Sequence, residues 1–243
     1  MTTVHIQIHE KIHHGAKKPT IENFELTLNA GEFVCLVGQS GCGKTTLLNT
    51  IAGLDANYSG AIHVANKTIN PNIGFVFQQP CLLPWRTVRE NIELVFVNQK
   101  VISKTHIDEL LALMKLTAYE NAYPKQLSEG MRRRVSIIRA FAINPDLLLM
   151  DEPFVSLDAP MAREVRELLQ QLWKKRPHTV LFVTHDLREA IGLADKLVFL
   201  TSRPMRVLKE INVPIAQNQR DSKNIEKFRD DLFQNHPELQ HLL

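Results

Sequence analysis

Hydrophobic positions recur along the chain with two different periods. Residues 4–9, VHIQIH, alternate apolar and polar, the pattern of a strand with one buried face. FELTLNAGEFVCLVG contains two strands joined by Asn29-Ala30-Gly31. The second, Glu32 to Val37, is nearly all apolar, as expected of a central strand covered on both faces. A glycine-rich turn leads into a helix from about Lys44 to Ala52. ANYSGAIHVANKTI reads as a hairpin region and NIGFVFQ as a further strand. Between about Pro80 and Asn144 the period lengthens to that of a helix, in KTHIDELLALMKL and again in MRRRVSIIRAFAI. DLLLMDE then restores a buried strand. A helix from Pro160 to Lys175 carries Pro160 in its first turn and Met161, Val165, Leu168, Leu169 and Leu172 on one face. TVLFVT, KLVFLT and RVLKEINV are strands, DLREAIGLAD is a helix, and NIEKFRDDLF is a helix near the end.

Strands alternating with helices predict an α/β fold, a mostly parallel sheet with helices on both faces. The predicted division is a core of residues 1–79 and 146–212, an inserted helical subdomain of residues 80–145 and a helical tail of residues 213–243. No internal repeat or low-complexity segment interrupts it. Composition narrows the function classes. At 44% hydrophobic residues the chain can bury a core, and its net charge of +3 is too weak to argue for nucleic acid. Cys35, Cys42 and Cys81 have neither zinc spacing nor an even count, which suits a reducing cytoplasm. The polar opening MTTVHIQIHEKIHH lacks an apolar signal core, and no apolar run approaches the roughly 18 residues of a membrane span, so a membrane role would need a partner.

The chemistry begins at GQSGCGKTT, a match to G-x-x-x-x-G-K-[ST] placed after a buried strand and before a helix. Glycines let the backbone curl so that several N–H groups face one phosphate, and the helix N-terminus adds its partial positive charge. Gly38, Gln39, Ser40, Gly41, Cys42, Gly43, Lys44, Thr45 and Thr46 are therefore the candidate ATP cradle. Lys44 reaches the β- and γ-phosphates, Thr45 ligates Mg²⁺ and Thr46 bonds the α-phosphate, with Cys42 as filler rather than a nucleophile. LLLMDEP sets Asp151 and Glu152 at a strand end, where ligands bind in such sheets. Asp151 would hold Mg²⁺ through water, and Glu152 would polarise a water for attack on the γ-phosphate.

Over about residues 5–210 the chain resembles an ABC transporter ATPase subunit, with the P-loop NTPase (RecA-like) core, antiparallel β subdomain and inserted α-helical subdomain of that family. GQSGCGKTT resembles Walker A, LLLMDEP Walker B, LSEGM the signature usually written LSGGQ, VSLDA the D-loop, VTHD the H-loop and FVFQQP the Q-loop. The resemblance implies a head-to-tail homodimer enclosing two ATP molecules, each held by Walker A of one subunit and the signature of the other. It assigns Ser128 and Gly130 to the γ-phosphate of the partner's ATP, Asp158 to the acidic position of the D-loop as an ATP-binding residue, His185 to the γ-phosphate, and Gln78 to Mg²⁺ and the attacking water. SLDAP is also a good helix cap.

PCLLPWRTVRENI, with its LLPW, and YPKQLSEGMRRRV resemble ATPases of nitrate, sulfonate and taurine importers, a group that also serves pyrimidine-type vitamin precursors. This implies integral membrane permease subunits, a periplasmic or lipid-anchored substrate-binding protein, and a peripheral place on the cytoplasmic face of the cell membrane. Leu82, Leu83 and Trp85 are the expected docking surface. The chain departs from the family at Glu129, where the first signature glycine is usual, and in KIHHGAKKP, where His13 or His14 replaces the usual adenine-stacking aromatic. Arg132, Arg133 and Arg134 read as a solvated helix face rather than a nucleic-acid site. A soluble ABC ATPase of DNA repair or translation is the alternative, disfavoured by the single Walker A and the absence of a heptad run.

Overall fold

The computed structural model of the chain describes residues 2–13, 15–64, 72–96 and 104–242. Its strands are β1 Val4–Lys11, β2 Ile21–Leu28, β3 Phe33–Val37, β4 Ser59–Val64, β5 Ile73–Val76, β6 Leu147–Asp151, β7 Thr179–Thr184, β8 Lys196–Leu200 and β9 Val207–Asn212. Its helices are α1 Lys44–Ile51, α2 Val88–Glu93, α3 Lys104–Leu113, α4 Glu129–Ala142, α5 Ala159–Lys175, α6 Leu187–Leu193 and α7 Ser222–Asn235. The chain forms two compact units, Met1–Asn70 with Thr179–Leu243, and Pro71–His178.

In the first unit β1 pairs antiparallel with both β2 and β4. Its alternation is realised in register: Val4, Ile6 and Ile8 lie opposite Leu28, Leu26 and Phe24, and all six are buried. Lys11 ends the strand buried, and its ammonium is satisfied by Asp55 Oδ1 and by the Asn57 carbonyl at 2.7 Å. Strand β3 lies between β7 and β8, parallel to both. Each of the three is buried along its whole length, which is why each reads as a continuous apolar run. Strand β9 pairs antiparallel with β8 and alternates half-buried and exposed positions. The expected hairpin of residues 56–69 yields β4, which pairs with β1, while residues 65–71 lie outside the described residues.

In the second unit β5 and β6 are parallel neighbours. Helix α4 crosses β5 so closely that a Cβ on Gly74 would stand 2.4 Å from the Ala140 carbonyl oxygen, so only glycine fits there. Helix α5 buries Ala162, Val165, Leu168, Leu169 and Leu172, each large member worth about 1.5–3 kcal/mol on removal from water. The turn before α2 is built on Asn91, which is fully buried. Its amide accepts from Leu83 N–H at 2.7 Å and donates to the carbonyls of Leu83, Arg86 and Thr87 at 2.9–3.1 Å. That turn presents Trp85, whose side chain is 70% exposed. Among the described residues no helix is long and apolar enough to cross a membrane.

Candidate functional site

The phosphate loop belongs to the first unit. It leaves β3 at Gly38 and enters α1 at Lys44. Gly41 and Gly43 hold φ of +77° and +122°, conformations that a side chain would strain, and a Cβ on Gly43 would also meet Thr20 Cγ2 at 2.9 Å. No side chain caps α1 at Gly43, so the N–H groups of its first turn are left to face a ligand or solvent. The Lys44 ammonium curls under the loop and donates to the carbonyls of Gly38 and Gln39 at 2.7 and 2.9 Å. Ser40 and Thr45 are exposed, and Cys42 is buried. Burial pushes the Cys42 thiol up, with Lys44 opposing in part, so the thiolate a nucleophile needs is disfavoured. Thr46 Oγ1 lies 3.2 Å from His13 Nε2, which puts His13 beside the cradle, while His14 falls outside the described residues. Tyr58 and His13 line one cleft.

His185 emerges at the same sheet edge. Val37 is level with Thr184 in the β3–β7 register, so Gly38 and His185 are the first residues beyond two adjacent strand ends. The flanks of His185 are fixed. Thr184 Oγ1 donates to Glu189 at 3.0 Å and accepts from Asp186 N–H at 3.0 Å. Asp186 in turn caps α6 by accepting from the Arg188 and Glu189 N–H groups. His185 opens on a cleft of about 520 Å³ shared with Arg188, Arg229, Phe233 and Gln240. Sequence spacing missed two further contacts on the loop. Arg203 Nε donates to the Gly41 carbonyl at 2.9 Å, and the Gln39 amide donates to the His241 carbonyl at 2.8 Å.

The acids belong to the second unit. Asp151 ends β6 and is buried, and Glu152 follows half-buried with φ of +42°. A glutamate in this left-handed region is unusual, and the turn it makes is closed by Val155 N–H on the Glu152 carbonyl at 3.2 Å. Val76 is level with Met150, so Gln78 and Glu152 each lie two residues past paired positions on neighbouring strands. Gln78 is exposed.

Ser128 is the N-cap of α4, its Oγ accepting from Met131 N–H at 3.2 Å. Glu129 is half-buried and pairs with Arg132 of its own helix at 2.6 Å. Gly130 is buried, and a Cβ on it would stand 2.5 Å from Met161 Sδ. Met161 is itself placed by Asp158, which caps α5 by accepting from Met161 N–H at 2.8 Å. Asp158 thus acts as a helix cap and, through Met161, adjoins Gly130. The arginine triplet corrects the expectation of a solvated face. Arg133 is 1% exposed and Arg134, whose Nη1 donates to the Met114 carbonyl at 3.1 Å, is half-buried, because both guanidinium groups serve backbone carbonyls of neighbouring segments. Leu82, Leu83 and Trp85 divide: the two leucines are half-buried and the tryptophan projects.

The sequence profile of the ABC transporter family matches residues 21–155. The aliphatic sulfonates import ATP-binding protein of Bacillus subtilis (strain 168) is 41% identical over 220 residues, 88% of this chain and 86% of that protein. The bicarbonate transport ATP-binding protein of Synechocystis is 41% identical over 229 residues, 88% and 80% of the two chains. The taurine import ATP-binding protein of Shigella flexneri is 43% identical over 206 residues, 82% and 81%. Among solved structures, an ATP-binding cassette in a dimeric, post-hydrolysis state bound to ADP and Pi superposes with a TM-score of 0.74 at 30% identity, covering 89% of this chain and 100% of that one. The phosphate loop, the acid-tipped strand and the capped signature helix therefore sit in a chain that belongs to the ABC transporter family and has the fold of its ATP-hydrolysing cassettes.

Proposed function

We propose that this chain is the ATP-binding and ATP-hydrolysing subunit of a membrane importer for a small anion of the nitrate, sulfonate or taurine class, or for a pyrimidine-type vitamin precursor. The observation that carries the nucleotide reading is the phosphate loop, with its two positive-φ glycines, its uncapped helix start and a lysine ammonium in its centre. The relatives named for sulfonate, bicarbonate and taurine transport support the anion class.

In this reading Gly38 to Thr46 bind ATP, and Lys44 exchanges loop carbonyls for phosphate oxygens. Mg²⁺, when bound, neutralises charge on the β- and γ-phosphates. The donor set suits it: Mg²⁺ takes oxygen ligands, characteristically few from the protein beside phosphate and water, and the candidates offer a hydroxyl, a carboxylate and an amide oxygen. Thr45, Asp151 through water, and Gln78 are those few. Glu152 accepts a proton from the attacking water, His185 holds the γ-phosphate, Asp158 serves ATP binding, and Ser128 and Gly130 serve the nucleotide of a second copy. The dimeric cassette among the structural relatives supports that pairing. Trp85, projecting from the turn built on Asn91, docks a permease subunit at the cytoplasmic face of the membrane, with a substrate-binding protein on the other side.

Two measurements test this. Glu152→Gln is expected to bind MgATP like the wild type and to lose hydrolysis by about a hundredfold or more, the size of a general-base contribution. Wild-type turnover in that variant would remove the catalytic assignment. Affinity purification from detergent-solubilised membranes is expected to recover an integral membrane subunit; recovery of nucleic acid in its place would overturn the importer reading.

A further inference from the structure

Arg133 and Arg139 lie on α4 beyond its Ser128 cap, and both end on the backbone that follows β5. Arg133 donates from Nη1 to the Phe77 carbonyl at 2.7 Å and from Nη2 to the Gln78 carbonyl. Arg139 donates from Nη2 to the Pro80 carbonyl and from Nη1 to the Cys81 carbonyl, both at 2.9 Å. Strand β5 ends at Val76, so these carbonyls lie beyond its ladder, and part-buried acceptors need donors from elsewhere. A planar guanidinium reaches two adjacent carbonyls at once, and its charge strengthens each bond.

The choice of residue is informative. Arg133 is almost wholly buried, and taking a guanidinium out of water is costly unless its donors are used. Burial works against its charge and the Glu129 carboxylate supports it. An apolar side chain would fill the same volume without that cost, but it would leave the Phe77 and Gln78 carbonyls without this donor. Glu129, which departs from the family signature, also holds Arg132. The helix that starts at Ser128 therefore carries Gln78 through four side-chain-to-backbone bonds.

We propose that Arg133 and Arg139 are positioning residues for ATP hydrolysis: they clamp the 77–81 backbone to the signature helix, so that the Gln78 amide moves with α4. This rests on Gln78 acting at the ATP site, as proposed above. The test is steady-state ATPase of the full chain carrying Arg133→Met, Arg133→Ala, Arg133→Lys or Arg139→Met, with Gln78→Ala in parallel. Arg133→Met is expected to lower kcat about tenfold with KM for MgATP within about twofold, the signature of an interaction made in the transition state. Arg133→Lys keeps part of the rate. Methylguanidinium restores turnover to Arg133→Ala and not to Gln78→Ala. Hydrogen–deuterium exchange at residues 78–82 quickens in Arg133→Met, while the phosphate loop keeps its protection. Should Arg133→Met fail to fold, Arg139→Met, at a half-exposed position, carries the same test with a loss of about threefold. A folded Arg133→Met with wild-type kcat, or with raised KM at unchanged kcat, overturns the clamp. Loss in Gln78→Ala without loss in Arg133→Met or Arg139→Met removes the clamp alone. Wild-type turnover in Gln78→Ala removes the clamp together with the role given to Gln78.

Discussion

The phosphate loop and the signature turn are both loops that run through glycine into a helix, yet they use glycine and charge in opposite ways. In the phosphate loop, Gly41 and Gly43 supply backbone conformations, and α1 starts without a side-chain cap. In the signature turn, Ser128 already caps α4, and Gly130 is helical, its missing side chain making room for Met161. The first turn carries a buried lysine, the second a carboxylate paired with Arg132. A helix start with unclaimed N–H groups and an ammonium is built to receive an anion by itself. One whose cap and charge are already engaged presents instead a surface set by its packing.

The strongest way to break this contrast is Lys44→Ala. ATP affinity measured by titration calorimetry is expected to fall by about a hundredfold or more, the loss of charge-assisted bonds to phosphate, with the fold retained. Unchanged affinity would dissolve the distinction between the two turns. A smaller effect separates the two uses of glycine. Gly130→Ala is expected to cost about 1–2 kcal/mol in urea unfolding, because the new methyl overlaps Met161, and most of that cost should vanish in a Met161→Ala background. Equal costs in both backgrounds would mean that Gly130 is kept for its backbone. The smallest effect is expected at Glu129. Glu129→Gly removes an i,i+3 ion pair worth about 0.3 kcal/mol and should leave turnover within about twofold. A large gain in turnover would show the carboxylate opposing the partner's phosphate.

What was legible in the sequence is what local chemistry determines. Strands β3, β6, β7 and β8 are buried over their length and stand out as apolar runs. Asp158 before Pro160 marks the start of α5 because a cap acts within one turn. The phosphate loop is readable since its glycines, lysine and helix start are contiguous. What escaped depends on contacts between distant residues. Met161 lies 31 positions from Gly130, and nothing in SEGM signals it. Arg133 looks like its neighbours in an RRR triplet, and only the helix phase toward the 77–81 backbone sets it apart. Trp85 could have packed inward; the buried Asn91 turns its loop outward, and one asparagine in a helical run is a weak signal. Gln39 meeting His241 joins segments some two hundred residues apart, beyond any periodicity.

Glu152 keeps a backbone conformation that glycine or asparagine adopts more cheaply, and an ordinary side chain gives up about 1–2 kcal/mol there. Selection for heat resistance alone would act against that strain, favouring Glu152→Gly or Glu152→Asn at the position assigned to the proton acceptor. The hardiest descendant of this chain and the fastest one would then be different proteins, parted at a single dihedral angle.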